Sequence, residues 1–282
     1  MPRTRLFATA AVAASVLFCW PFGVSSQIPL SPPRDAGQTV TPAYEGWYPN
    51  EDGTFTLSFG YFNRNKEEIL EIPVGPNNFI EGAQADLGQP TRFHPQRHWG
   101  VFTVKVPADF GTNRLVWTLV NRGRTFAIGG HLDSNWLLDA KLNLASGNTP
   151  PVLRFDPSGP QGSGPDGITI GPLETTVGTP LALTIWITDD EIGRGGGGFR
   201  RQTEPIVLLW FKHRGPGDVA FSDTEPAVDR ENGGRSTTSA TFDAPGSYVL
   251  RVRVNDLSGN ISGGHAQCCW TNGYVKVDVT GQ

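Results

Sequence analysis

The run Thr54-Phe55-Thr56-Leu57-Ser58-Phe59-Gly60-Tyr61 alternates polar or small residues with large apolar ones. A period of two is what a strand with one buried face requires, and it puts Phe55, Leu57, Phe59 and Tyr61 together against a core. Asn50-Glu51-Asp52-Gly53 is the turn that feeds this strand. Residues 68–72, 99–106 and 114–120 read as further strands, and Asn121-Arg122-Gly123 suits a tight hairpin into 124–128. With 35 glycines and 23 prolines in 282 residues, and aromatics at 10%, the composition fits many short strands joined by tight turns. Asp133 or Ser134 can cap one short helix over Trp136-Leu137-Leu138, too brief to change the class.

Between residues 147 and 172 nearly half the positions are glycine or proline, a density that neither a helix nor a central strand tolerates. The chain is therefore expected to divide there. The expected layout is a leader of signal-peptide type over 1–26, a loose segment over 27–38, an N-terminal β-sandwich over 39–146, a linker over 147–172 and a C-terminal β-sandwich over 173–282. The class is all-β, two tandem antiparallel, immunoglobulin-like sandwiches.

In the C-terminal half, strands are expected over 181–188, 206–212, 236–242, 247–255 and 274–279. Asp243-Ala244-Pro245-Gly246-Ser247-Tyr248 leads into Val249-Leu250-Arg251-Val252-Arg253-Val254 as a tyrosine corner would, with Tyr248 two residues before the core position Leu250. Trp210 is placed to be the buried core tryptophan. The stretch Thr241 to Val252, followed by Asn255-Asp256-Leu257-Ser258-Gly259-Asn260, resembles the closing strands of polycystic-kidney-disease-type repeats and related bacterial immunoglobulin-like modules. Where that family carries a Trp-Asp-Phe-Gly-Asp-Gly turn, this chain has Leu209-Trp210-Phe211-Lys212-His213-Arg214. The resemblance, over about residues 173–280, implies accessory work as a non-catalytic spacer or binding domain on exported proteins.

Met1-Pro2-Arg3-Thr4-Arg5, the apolar stretch from Leu6 to Trp20 and the small residues Val24-Ser25-Ser26 have the layout of a secretory signal. The apolar stretch is short for a membrane span, so periplasmic or extracellular release without membrane insertion is expected. Phe18 stands before Cys19 where a lipid-attachment motif has a small residue. Cleavage after residue 26 leaves 21 basic against 27 acidic residues, a formal charge of −6 that argues against nucleic acid as a partner.

Beyond that leader the chain has two cysteines, Cys268 and Cys269, and they are adjacent. Adjacency rules out a long-range intrachain disulfide between them; the alternatives are a vicinal disulfide, an intermolecular bond, or two small buried hydrophobes. In an immunoglobulin-like sandwich the loop after the second strand and the loop before the last emerge at one end. That pole would gather Asp189, Asp190, Glu191 and Asp256, carboxylates that either hold a structural calcium ion or simply end strands as turn residues. It would also gather Arg200, Arg201, His265 and Trp270 as ligand-binding candidates. The glycine run 193–198 lacks the ending of a phosphate loop and reads as a loop tip. Trp47 and Tyr48 fall outside a clean alternation and are candidates for an exposed aromatic platform, with rim packing as the alternative.

His94 and His98 have helical spacing, but Pro95 and the strand that follows make a shared helix face unsuitable. No nucleophile elbow or zinc-protease motif is present. The sequence therefore favours a non-catalytic accessory protein binding an envelope protein or a polysaccharide through sandwich loops. The alternatives are a purely structural spacer, and a hydrolase whose paired carboxylates meet only in three dimensions.

Overall fold

The computed structural model describes residues 34–144, 147–190, 206–256 and 268–281. Among these the chain is all-β, its one helical element being a single 3-10 turn at Ser134–Trp136, capped by Asp133. No helix of the described residues is long and apolar enough to cross a membrane.

The first half contributes β1 (Val40–Pro49), β2 (Phe55–Asn63), β3 (Leu70–Glu71), β4 (Asn78–Glu81), β5 (Arg92–Phe93), β6 (Gln96–Val106), β7 (Leu115–Asn121) and β8 (Arg124–Gly130). Sheets ordered β1-β2-β6 and β4-β7-β8 face each other, with β3 and β5 as a small flanking pair. The alternation of β2 does what its period demands: Leu57, Phe59 and Tyr61 are buried with Phe93, Phe102 and Trp117, and Phe55 packs on the edge of that core. The expected hairpin closes between β7 and β8, with Arg122 and Gly123 at φ 52° and 71°, the pair of positive values that a two-residue turn matched to strand twist requires.

The second half contributes β9 (Val152–Arg154), β10 (Gln161–Ser163), β11 (Ile168–Thr176), β12 (Leu181–Thr188), β13 (Val207–Arg214), β14 (Val219–Phe221), β15 (Arg235–Phe242), β16 (Gly246–Asn255) and β17 (Trp270–Thr280). They form a sheet ordered β10-β9-β12-β15-β14 and a sheet ordered β11-β17-β16-β13. All pairs are antiparallel except β11 with β17. Trp210 lies in the core between them. The Tyr248 hydroxyl donates to the Ala244 carbonyl at 2.8 Å and accepts from the Gly217 amide at 3.0 Å, which is the tyrosine corner.

The stretch expected as a linker is corrected by its structure: residues 147–172 carry β9, β10 and the start of β11. Leu153 is fully buried in the second core, and a three-residue strand entered directly after Pro151 needs no amide from that proline. Density of glycine and proline thus marked short strands and close approaches. Gly162, for one, faces the Gly167 backbone at a distance that leaves no room for a β-carbon.

The two sandwiches are joined along a seam. Outward-facing residues of β13, β16 and β17 stand in cross-strand rows, Phe211 beside Arg251 beside Tyr274, and Arg253 beside Asn272. They are covered by β5, β6 and the segment before them. The Thr91 amide donates to the His213 carbonyl at 3.0 Å, the Tyr274 hydroxyl to the Val101 carbonyl at 2.8 Å, and Asn272 to the Gly100 carbonyl at 2.7 Å. Arg214 pairs with both oxygens of Asp86, Lys212 with Glu71, and Arg92 bridges Glu71 and Asp218. At Gly100 (φ 47°) the backbone runs under the Trp270 indole, and a β-carbon there would lie 2.4 Å from the ring. Gly100→Ala combines a left-handed backbone with overpacking and is expected to cost about 3 kcal/mol. A urea titration reading tryptophan fluorescence measures this, and an unchanged midpoint would mean that the indole does not sit on this backbone.

Candidate functional site

Structure rearranges the sequence candidates. Tyr48 is 2% exposed and packs with Leu138 and Ala140, while the Trp47 indole is half-buried and donates to the Asp133 carbonyl at 2.8 Å. The platform expected of this pair is therefore absent. Its cover comes from residues about ninety positions further along the chain, which no local alternation reveals. Trp270, expected at a binding pole, is 1% exposed and serves the seam.

Cys268 and Cys269 form the vicinal disulfide, buried, with both sulfurs against the Asn148 carbonyl at 3.9 and 3.7 Å. Asp256 is fully buried and accepts from Asn148 Nδ2 at 2.7 Å, and Asp190 accepts from both the amide and the hydroxyl of Thr149 at 2.8 Å. Asp189 is half-buried just past the end of β12. Among the described residues no three of His, Cys, Asp and Glu converge as a metal-ligand group. Asp190 and Asp256 instead fasten the segment around residue 148 to the second sandwich. Glu191, Arg200, Arg201 and His265 lie outside the described residues, as does the glycine run.

What covers Tyr48 is a strap, residues 131–144, that crosses the first sandwich toward that fastening. It is anchored by the Leu138 amide on the Trp47 carbonyl at 2.8 Å, by the Tyr44 hydroxyl on the His131 carbonyl, and by Lys141 on Asp166 and the Ser163 carbonyl. Asn143 donates its amide to the Asn148 carbonyl at 2.8 Å, closing the path to the disulfide. The strap turns its other side outward: Trp136, Leu137, Leu142 and Leu144 are 43%, 47%, 42% and 75% exposed. The indole of Trp136 leans on the Tyr44 ring at 5.4 Å and meets His131 edge-on at 5.9 Å, which fixes it in place. In the sequence, Trp136-Leu137-Leu138 reads only as one short helix capped by Asp133 or Ser134. The available signal is five large apolar residues in the nine positions 136–144, with no strand pattern to bury them.

The seam is a second unusual place. His98 stacks on Tyr61 at 4.9 Å, His94 lies 6.0 Å from His98, and both meet the Phe211 ring edge-on at 5.5 and 5.2 Å. Arg251 lies 4.8 Å over that phenyl ring and is 2% exposed. Burial holds His94 down to about 4 and His213 to about 3, with neighbouring arginines adding to both shifts, and it holds His98 well below its ordinary range. Arg251 is lowered by burial too, and Arg253 falls to about 10 through burial and the charge of Arg251.

Comparison with known proteins finds no matching family and no matching curated protein. Among solved structures the chain is similar to domains 4 and 5 of the S-layer protein SbsC (10% identity, 60% of this chain and 66% of that one, TM-score 0.24). It is similar also to two tandem immunoglobulin domains of titin (10% identity, 86% and 100%, TM-score 0.24) and to two domains of intimin (10% identity, 85% and 99%, TM-score 0.28). Likeness of this size assigns no residue a counterpart, and the architecture rests on the strand pairing above.

The seam histidines set an acid limit on the fold. The unfolded chain takes up protons near pH 6.5, whereas the folded chain refuses them until about 4 at His94 and about 3 at His213. Stability is therefore full above pH 6.5 and is lost as pH falls, by up to about 1.4 kcal/mol per pH unit for each histidine. Glu45, raised by burial, has the opposite sign and offsets one proton at most. Urea midpoints between about pH 7.5 and pH 4.5 should drop steeply below 6.5, and less steeply in His213→Gln. A flat profile would contradict neutral histidines in the seam.

Proposed function

We propose that this chain is a non-catalytic exported module that binds a protein partner of the cell envelope through the strap. The observation that carries this reading is the exposure of Trp136, Leu137, Leu142 and Leu144 on backbone tied down along its length. Apolar side chains held in one conformation lose little entropy on docking, and a clustered strip of this kind is what protein interfaces use. Three of the four are leucines, which offer a sugar hydroxyl neither a hydrogen bond nor a stacking face, so a protein is favoured over a polysaccharide. Export is supported by the signal-like stretch over 1–26 and by a disulfide, which persists in oxidising compartments.

The spacer reading is favoured by one observation, the seam, which makes two sandwiches a single block. The readings separate on a double variant, Trp136→Ser with Leu144→Ser. Retention of envelope proteins on the immobilised chain should fall at least about tenfold, with an unchanged circular dichroism spectrum, since hot-spot residues of an interface are worth this much. Equal retention of the same proteins by both chains would leave the spacer reading standing in its place.

A further inference from the structure

Of the buried polar atoms at the seam that meet no hydrogen-bonding group among the described residues, five lie on two arginines and two histidines. They are Nε and Nη1 of Arg251, Nε of Arg253, Nε2 of His94 and Nδ1 of His98. They come from both sandwiches, the arginines from β16 and the histidines from the approach to β6 and β6 itself. A guanidinium in so dry a place is expected to be matched by a carboxylate, because an uncompensated buried charge is among the costliest things a fold can hold.

The carboxylates around the seam are committed elsewhere. Glu71 faces Arg92 and Lys212, Asp218 faces Arg92, Asp86 faces Arg214, Glu45 faces Arg97, and Asp166 faces Lys141. Arg251 instead lies over the Phe211 ring, with Tyr274 as its cross-strand neighbour. A cleft of about 340 Å³, lined by His213, Arg214, Tyr274 and Lys276 among others, opens beside Tyr274, the cross-strand neighbour of Arg251.

The two imidazoles define what kind of anion fits. His98 donates Nε2–H to the Pro95 carbonyl at 3.0 Å, which leaves Nδ1 as a lone-pair acceptor. At His94 the Nε2 atom is likewise buried with no partner. Burial keeps both rings neutral. The seam thus offers guanidinium donors on one strand and acceptors opposite, and an oxyanion that still carries a proton satisfies both. We propose that the seam binds a compact oxyanion of the inorganic phosphate class in its dihydrogen form, its charged oxygens held by Arg251 and Arg253 and its two hydroxyls donating to His94 and His98. Sulfate has the same size and the right charge for the arginines, but at neutral pH it has no proton to give the histidines.

Titration calorimetry at pH 7 and fixed ionic strength, with phosphate and with sulfate on the full chain, tests this. The expected result is one phosphate per chain, sulfate at least about tenfold weaker, and phosphate affinity reduced at least about tenfold in Arg253→Gln. Absence of phosphate binding, sulfate bound as tightly, or unchanged affinity in Arg253→Gln would each overturn the proposal. Should the variant fail to fold, a crystal of the native protein soaked in arsenate decides. Anomalous density within about 4 Å of both guanidinium groups supports the site, and density elsewhere or none overturns it.

Discussion

The packing of one sheet's outer face onto a neighbouring sandwich is the constraint from which the other features follow. In a solitary sandwich, Phe211, Arg251, Arg253, Asn272 and Tyr274 would face water, and the alternation of Val249-Leu250-Arg251-Val252-Arg253-Val254 is written that way. Here the same residues are covered, Arg251 to 2% exposure. Covering them removes water from charged and titratable groups at once, which is why three histidines stay neutral and both arginines are pulled down. Backbone has to come close to close the seam, hence a glycine under the Trp270 indole and direct amide-to-carbonyl bonds between the halves.

The strap depends on the same arrangement. It leaves the first sandwich at His131, and its Asn143 amide reaches the carbonyl of Asn148, which lies against both sulfurs of the vicinal disulfide and whose side-chain amide is taken by Asp256. Only because the two sandwiches are fixed relative to each other can one short segment be anchored on both. Its interior side supplies the cover for Tyr48, and its outer side keeps four large apolar residues in solvent. A fixed, exposed apolar strip costs the folded chain solvation and gives it nothing back internally, which is the physical reason for assigning it to a partner.

Strand positions, the hairpin at Arg122-Gly123, the tyrosine corner and the core role of Trp210 were legible because each is encoded within about ten residues. Long-range coverage was not. Trp47, Tyr48 and Trp270 look equally exposed to any local pattern, and what buries them comes from residues 133–140 and from Gly100. The Pro/Gly-rich stretch misled for a related reason: Val152-Leu153-Arg154 is too short to show a period, and its place beside β12 is set by partners decades of residues away. The arginines of β16 carried a correct period and a wrong inference, since alternation tells which face a residue occupies and not whether that face is wet.

If the seam is the organising contact, the two sandwiches tumble and align as one body. Residual dipolar couplings of backbone amides in a weakly aligned sample test this directly. A single alignment tensor fitting amides of β1–β8 and of β9–β17 together is the predicted result. Two tensors differing in magnitude or orientation would mean that the halves move independently, and the seam described here would not hold in solution.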